Sequence, residues 1–344
     1  MNGISRALVA ASLTLVSGSL AQAQSFRSLF ERVSKSVVVV RTLERGAPAE
    51  PGASAGIDYG VGSGTIISAD GRILTAAHVI QVAERVGVEL ADGRMFPATV
   101  LGSSVRADVA LIKIDDPPPD LVPARMGNAD SVRVGDDVAI IGAPWGFSYS
   151  LTVGHVSRLP KPEGTTSGVP IELIQTDAAI NHGNSGGPMF DMNGRVIGIV
   201  SHIMTYSGGS EGLGFAVSVN VAKRLLLSST SVWTGIDGFV LNGELAKLFN
   251  LPQKSGLLVQ RVAAGSPGAK LGLWAGQVPV KIGDQELVLG GDIVLRVGNI
   301  EVTGDSLSED RTTQYVRALP PGAPLVVHVL RGGAVVELSA VLPR

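Results

Sequence analysis

The chain has no cysteine among its 344 residues. That excludes disulfides, a thiol nucleophile and thiolate metal sites, while leaving the redox compartment open. Charge of one sign is nowhere concentrated: 28 Lys and Arg face 30 Asp and Glu, no basic run stands out, and the formal net charge is −2. Nucleic-acid binding therefore has no electrostatic footprint. The five histidines, His78, His155, His182, His202 and His328, show no His-Glu-x-x-His spacing. No catalytic zinc, and no other metal or cofactor, is expected. Beyond the extreme N-terminus no apolar run approaches the length of a membrane span.

What is present points to two ordinary domains with sizeable cores, because 45% of the residues are hydrophobic. The 44 glycines and 19 prolines suit many short strands joined by tight turns better than long helices. Residues 1–23 read as a secretory signal: Arg6 in a polar start, the apolar stretch Ala7 to Val16, then Ala21-Gln-Ala23 as a small-residue cleavage site. An uncleaved anchor helix is the alternative, but serines and Gly18 interrupt the apolar stretch.

Chemistry concentrates in Asp177-Ala-Ala-Ile-Asn-His-Gly-Asn-Ser185-Gly-Gly-Pro188. A serine nucleophile needs a base, a group that orients the base, and N–H donors for the developing oxyanion. Glycines around Ser185 leave the main chain bare, so the Gly183 and Ser185 amides are the natural donors. Thr75-Ala-Ala-His78-Val supplies a base and Ala107-Asp108-Val-Ala-Leu-Ile an orienter. The order His, Asp, Ser is that of chymotrypsin-type enzymes rather than subtilisins or α/β-hydrolases. Taken singly, Ser185 would be a turn serine, His78 a core histidine and Asp108 a cap on the strand that follows it. The three motifs in order favour catalysis.

These segments and their spacing resemble the HtrA/Deg family of serine endopeptidases. The resemblance implies a mainly β chain: a chymotrypsin-like double β-barrel protease domain at 24–229, followed by a small PDZ domain at 230–344. By matching position, His78 is the general base, Asp108 its orienter and Ser185 the nucleophile. Ala179, six residues before the nucleophile, falls at the base of the specificity pocket. The resemblance further implies an exported endopeptidase, periplasmic in a bacterium, that cleaves unfolded or damaged proteins without ATP. Trp233-Thr234-Gly235-Ile236 matches the PDZ loop whose N–H groups hold the C-terminus of a peptide. A homo-oligomer, with a trimer favoured, would use aromatic residues near the N-terminus. Phe26 and Phe30, in an amphipathic helix over 25–35, are candidates for that or for packing on their own domain. The rival reading, from a different class, is a binding protein, a holdase or regulatory scaffold whose triad is seldom assembled.

The rest of the chain fits this frame. Val37 to Thr42 reads as a strand and 44–59, rich in Gly, Pro and Ala, as a surface loop. It is much shorter than the corresponding loop of the long-loop members of the family resembled, which weakens the case for large cages. Further short strands fall in two groups either side of Pro117-Pro-Pro119. Segments 143–148, 161–169 and 202–211 read as loops flanking Ser185, and loops in these places gate the active site of the family resembled. Two departures from the family stand out. His182 takes the place of a proline before Gly183, and 278–290 is an extra hairpin around Gly283-Asp284.

Overall fold

Val37-Val-Val-Val40 is a β-branched run, stiff at χ1 and suited to a pleated surface. It begins β1 (Val37–Arg45), which pairs on one side with β2 (Ile57–Ile66) and on the other with β4 (Ala83–Glu89). With β3 (Arg72–Thr75), β5 (Met95–Ser104) and β6 (Val109–Ile114), these strands close a barrel in the order β1-β2-β3-β6-β5-β4. Val38, Val40, Ile66, Ile73, Val88 and Ile112 fill it, and Gly71 and Gly93 take the positive φ their turns require. The computed structural model describes residues 25–46, 48, 50, 56–144, 149–159, 171–205, 209–228, 232–283 and 285–341. The signal expected at 1–23, the 161–169 loop, residues 145–148 and Asp284 lie outside them.

A second barrel follows from β8 (Asp137–Gly142), β9 (Ser150–Arg158), β10 (Leu173–Thr176), β11 (Pro188–Asp191), β12 (Arg195–Ile203) and β13 (Gly214–Ser218). Its order is β11-β8-β9-β10-β13-β12, closed by the β11–β12 pairing, with the short β7 (Arg125–Met126) parallel to β12. Between the barrels lies a shared core. Leu74, Val109 and Leu111 from the first meet Ile141, Phe190 and Ile199 from the second. Helix α1 (Phe26–Val33), capped by Ser25, drives Leu29 and Val33 into the same core, and Phe26 and Phe30 pack partly buried against it. Both aromatics therefore touch their own domain while staying only partly buried.

Two expectations about 44–59 and 202–211 need correction. Glu44↔Asp58 and Arg45↔Ile57 extend the β1–β2 ladder well into the expected loop. Ile57 and Tyr59 are 62% and 79% exposed, so backbone pairing holds this part of the hairpin without a buried face. No alternating pattern marks it for that reason. Similarly, His202 and Ile203 belong to β12, paired with β13.

The C-terminal unit opens with β14 (Ile236–Asn242). It adds β15 (Ser255–Val262), β18 (Ile293–Val297), β20 (Pro324–Arg331) and β21 (Ala334–Val341) in the order β14-β15-β18-β20-β21, with the short β19 (Ile300–Glu301) on β18. The extra segment is indeed a hairpin, β16 (Val278–Ile282) with β17 (Gln285–Leu289). Ser266 caps α5 (Pro267–Lys270), accepting from the Ala269 amide with Pro267 in the first turn, as the sequence suggests. Helices α2 (Ala77–Ile80), α3 (Val219–Ala222), α4 (Gly243–Leu248) and α6 (Ser306–Ala318) are the other described α-helices.

One buried ion pair fastens this unit. Asp292 is 0% exposed, and both carboxylate oxygens take a hydrogen bond from Arg331 at 2.7 Å. The Trp274 amide adds a third at 2.8 Å, and the Trp274 ring stacks on the guanidinium at 4.1 Å. Removing one partner of such a pair strands a buried charge. Arg331→Met should therefore cost the C-terminal unit about 3 kcal/mol, read as a lower midpoint of its denaturant transition. A change under about 0.5 kcal/mol, as at an ordinary surface site, would contradict the assignment.

Candidate active site

Two small alanines begin the site. Ala76 and Ala77 are buried against the first barrel and, with Val79 and Ile80, seat α2 directly on its core. His78 is the residue of this turn that faces outward, with its side chain half exposed. Asp108 lies across from it, after the turn in which its own amide bonds the Val105 carbonyl. It adopts φ 51°, the left-handed region that Asp tolerates better than most residues. This geometry turns the carboxylate toward α2. Oδ1 accepts from the His78 amide at 3.0 Å, and both oxygens lie 2.9 Å from Nδ1. A carboxylate only accepts, so Nδ1 carries the hydrogen and Nε2 is left with its lone pair.

Burial pushes the Asp108 carboxyl up. The hydrogen bond and charge of His78, the Ser201 hydroxyl and the His78 amide outweigh that and hold it below the usual carboxylate range. It is therefore the ionised partner that a histidine base requires.

Ser185 comes from the second barrel, on the loop between β10 and β11. The Asn184 amide bonds the Asn181 carbonyl at 3.0 Å, and Gly183 has φ 98°. That is a type II turn with His182 and Gly183 as its central residues. Flipping the 182–183 peptide would give type I, with φ at Gly183 near about −90°. Neither the Gly183 nor the Ser185 amide donates to a protein acceptor among the described residues. Gly186 (φ 83°) follows, and a Cβ there would collide with the Thr75 hydroxyl and the Ser63 carbonyl. The Ser185 hydroxyl donates to the Ser201 carbonyl at 3.1 Å, and no hydrogen bond joins it to His78 among the described residues.

Three contributors escape sequence reasoning. Ser63, wholly buried in β2, donates its amide to the Ser185 carbonyl at 2.8 Å and its hydroxyl to the Gly183 carbonyl at 2.7 Å. The same hydroxyl accepts from the Ala143 amide at 3.0 Å. Its only signal is position within Gly60-Val-Gly-Ser-Gly, where glycines permit close backbone approach. Ser201 places its hydroxyl 2.5 Å from Asp108 Oδ2. Gln81, next after α2, reaches the C-terminal unit: its side chain donates to the Ile236 carbonyl at 2.7 Å and the Thr234 hydroxyl at 3.3 Å. The Trp233 indole in turn donates to the Gln81 carbonyl at 3.0 Å.

The remaining sequence candidates divide. Trp233 to Ile236 thus rest on the element that carries His78, and Gly235 (φ 67°) turns its carbonyl to the Ala263 amide. Asp237 and Arg261 line one cleft with His78, Gln81 and Asp108. Ala179 is exposed between the buried Ala178 and Ile180. Among the described residues no cluster of three or more His, Asp or Glu could hold a metal.

Residues 62–199 match the model of the trypsin-like peptidase domain. The chain is 42% identical over 247 residues to a probable periplasmic serine endoprotease, DegP-like, of Pseudomonas savastanoi pv. phaseolicola, covering 70% of this chain and 51% of that protein. To its counterpart in Ectopseudomonas mendocina it is 38% identical over 282 residues, 80% of this chain and 56% of the relative. It therefore spans about half the length of these curated relatives. Among solved structures, the HtrA-type protease AlgW with a tripeptide is similar at 31% identity and a TM-score of 0.52, over 92% of this chain and 96% of that one. The same protease with a decapeptide gives 29% identity and a TM-score of 0.52, over 93% and 99%. Sharing a double barrel and 31% of aligned residues across nearly the full length of such a protease, this chain belongs to the HtrA family of trypsin-like serine proteases.

Proposed function

We propose that the chain is a serine endopeptidase in which Ser185 attacks the peptide carbonyl and His78 Nε2 takes its proton. The grip of Asp108 on both the Nδ1 and the amide of His78 carries this reading, because it fixes the ring and leaves the Nε2 lone pair free to act as a base. The Gly183 and Ser185 amides receive the oxyanion. Before attack, the Ser185 hydroxyl turns from the Ser201 carbonyl to Nε2. Catalytic hydrogen bonds that tighten only with substrate bound are common in enzymes of this kind. The same Ser185–Ser201 bond is the one observation that favours the second reading, a binding protein whose triad rests unassembled.

Substrates are unfolded or damaged proteins outside the cytoplasm, in the periplasm of a bacterium. The relatives' description as periplasmic endoproteases and the leader-like residues 1–23 support the location. The C-terminal unit acts as a PDZ domain taking C-terminal peptides at Trp233 to Ile236. A peptide there competes with Gln81 for the loop and so bears on α2 and His78. The protein works as a homo-oligomer, a trimer in its simplest form.

Three outcomes test the reading. Ser185→Ala should abolish digestion of an unfolded protein such as casein while retaining the fold and peptide binding. Substantial turnover in a preparation free of contaminating protease would sink the triad. Because Ala179 offers no negative charge to a buried basic side chain, cut sites should follow Val, Ala or Leu. A majority after Lys or Arg would refute that pocket assignment. Finally, proline is favoured at the first central position of a type II turn, where His182 stands. His182→Pro should bias the loop toward this conformation and raise basal kcat/KM without PDZ ligand by about two- to fivefold. An unchanged or lower value in a folded variant would show that the 182–183 peptide is not what limits the resting enzyme.

A further inference from the structure

We propose that His202 is a positioning residue for the triad, holding the Ser201 hydroxyl on Asp108 through the Nδ1–H tautomer of its ring. The proposal rests on the protease reading above and follows from counting protons. Ser201 Oγ lies 2.5 Å from Asp108 Oδ2 and 3.0 Å from His202 Nδ1. It has one hydrogen to give. Asp108, ionised, can only accept, so the hydrogen goes to Oδ2. The hydroxyl then turns a lone pair toward His202. If Nδ1 also presented a lone pair, two acceptors would face each other at 3.0 Å, with Ser201 only 3% exposed although His202 itself is exposed. Nδ1 must therefore carry a hydrogen, the reverse of the tautomer that a solvated histidine favours.

The ring is placed for this. His202 pairs with Phe215 across β12 and β13, and the two rings stack at 5.1 Å between centroids and 18° between planes. The chain of donors runs from His202 Nδ1 to Ser201 Oγ to Asp108, whose oxygens also hold His78 Nδ1. Ser201 meets the triad a second time, through the carbonyl that takes the Ser185 hydroxyl. Freed from His202, the Ser201 hydroxyl could rotate away from Oδ2, and the carboxylate would lose one of the donors that fix it against His78. Packing alone would be satisfied by any ring over Phe215; the N–H is what a hydrocarbon ring lacks.

Two substitutions separate these roles. His202→Asn loses the stacked ring but places an N–H donor near the position of Nδ1, whereas His202→Phe keeps the stack and loses the donor. We expect His202→Asn to keep kcat within about twofold and His202→Phe to lower it about three- to tenfold with KM little changed, the range for one neutral hydrogen bond. Any other pattern, including equal losses in both, overturns the proposal. Independently of turnover and of how either variant folds, imidazole 15N shifts of the unsubstituted protein at alkaline pH should report His202 as Nδ1–H. An Nε2–H tautomer would overturn the contact. If Ser185-dependent turnover is absent altogether, the protease reading fails, and the tautomer still decides whether His202 supports Ser201.

Discussion

Ser63 ties Ser185 to the segment that leads into His78. It sits 0% exposed in β2 of the first barrel, yet its amide and hydroxyl hold the carbonyls of Ser185 and Gly183 in the second. Its own carbonyl takes the Thr75 hydroxyl at 2.7 Å, three residues before His78. One residue thereby sets the height of Ser185 against α2. The barrels share an apolar core, but hydrophobic burial is non-directional and would tolerate small slips. A buried hydroxyl bonded to both Gly183 and Ala143 does not, since losing it leaves two buried main-chain groups unpaired, at about 1–3 kcal/mol each.

Against that fixed point the rest of the site divides into a rigid half and a poised half. Asp108, in its left-handed conformation, is committed to His78 and Ser201 and has no rotation left to make. The Ser185 loop is less committed. Asn184 is 1% exposed, and neither Oδ1 nor Nδ2 of its side chain meets a partner among the described residues. Such a group costs free energy in the conformation that buries it, which narrows the gap to alternative loop conformations. The Ser185 hydroxyl rests on Ser201 rather than on His78. A cleft lined by residues of both the first barrel and the C-terminal unit adjoins the rigid half, which places Arg261 and Asp237 beside His78. Arg261 also reaches Glu44 of β1 at 3.4 Å, so the C-terminal unit is fastened to the first barrel on both sides of that cleft.

How much of this was legible in the sequence depended on how local each signal is. Asn181 to Gly187 advertises its turn because the glycines that allow positive φ are neighbours in the chain. The 278–290 hairpin was equally open, since Gly283 marks the turn and Val and Ile alternate before it. Ser63 and Ser201 could not be found the same way. Each acts on residues 120 or 93 positions away, and a serine in a strand carries no mark of its partner. His202 read as loop because the glycines and serines after it outweighed a strand that continues past Ser201. Trp233 to Ile236 showed a peptide-binding pattern but not that Gln81, 155 positions from Ile236, would already be bonded to it. Contacts across the barrels are the part that one-dimensional pattern cannot carry.

The account stands on Ser63 aligning a reactive Ser185 with the His78–Asp108 pair. A fluorophosphonate reports that alignment without substrate binding or the C-terminal unit. Its second-order rate of reaction should therefore be measured on the parent and on Ser63→Ala, with the adduct located by mass spectrometry. The parent should be labelled at Ser185 alone, and Ser63→Ala should retain the fold yet react at least about tenfold more slowly, as expected when one buried hydroxyl and its partners are lost. Labelling elsewhere, no labelling of the parent, or equal rates in the two proteins would contradict the account.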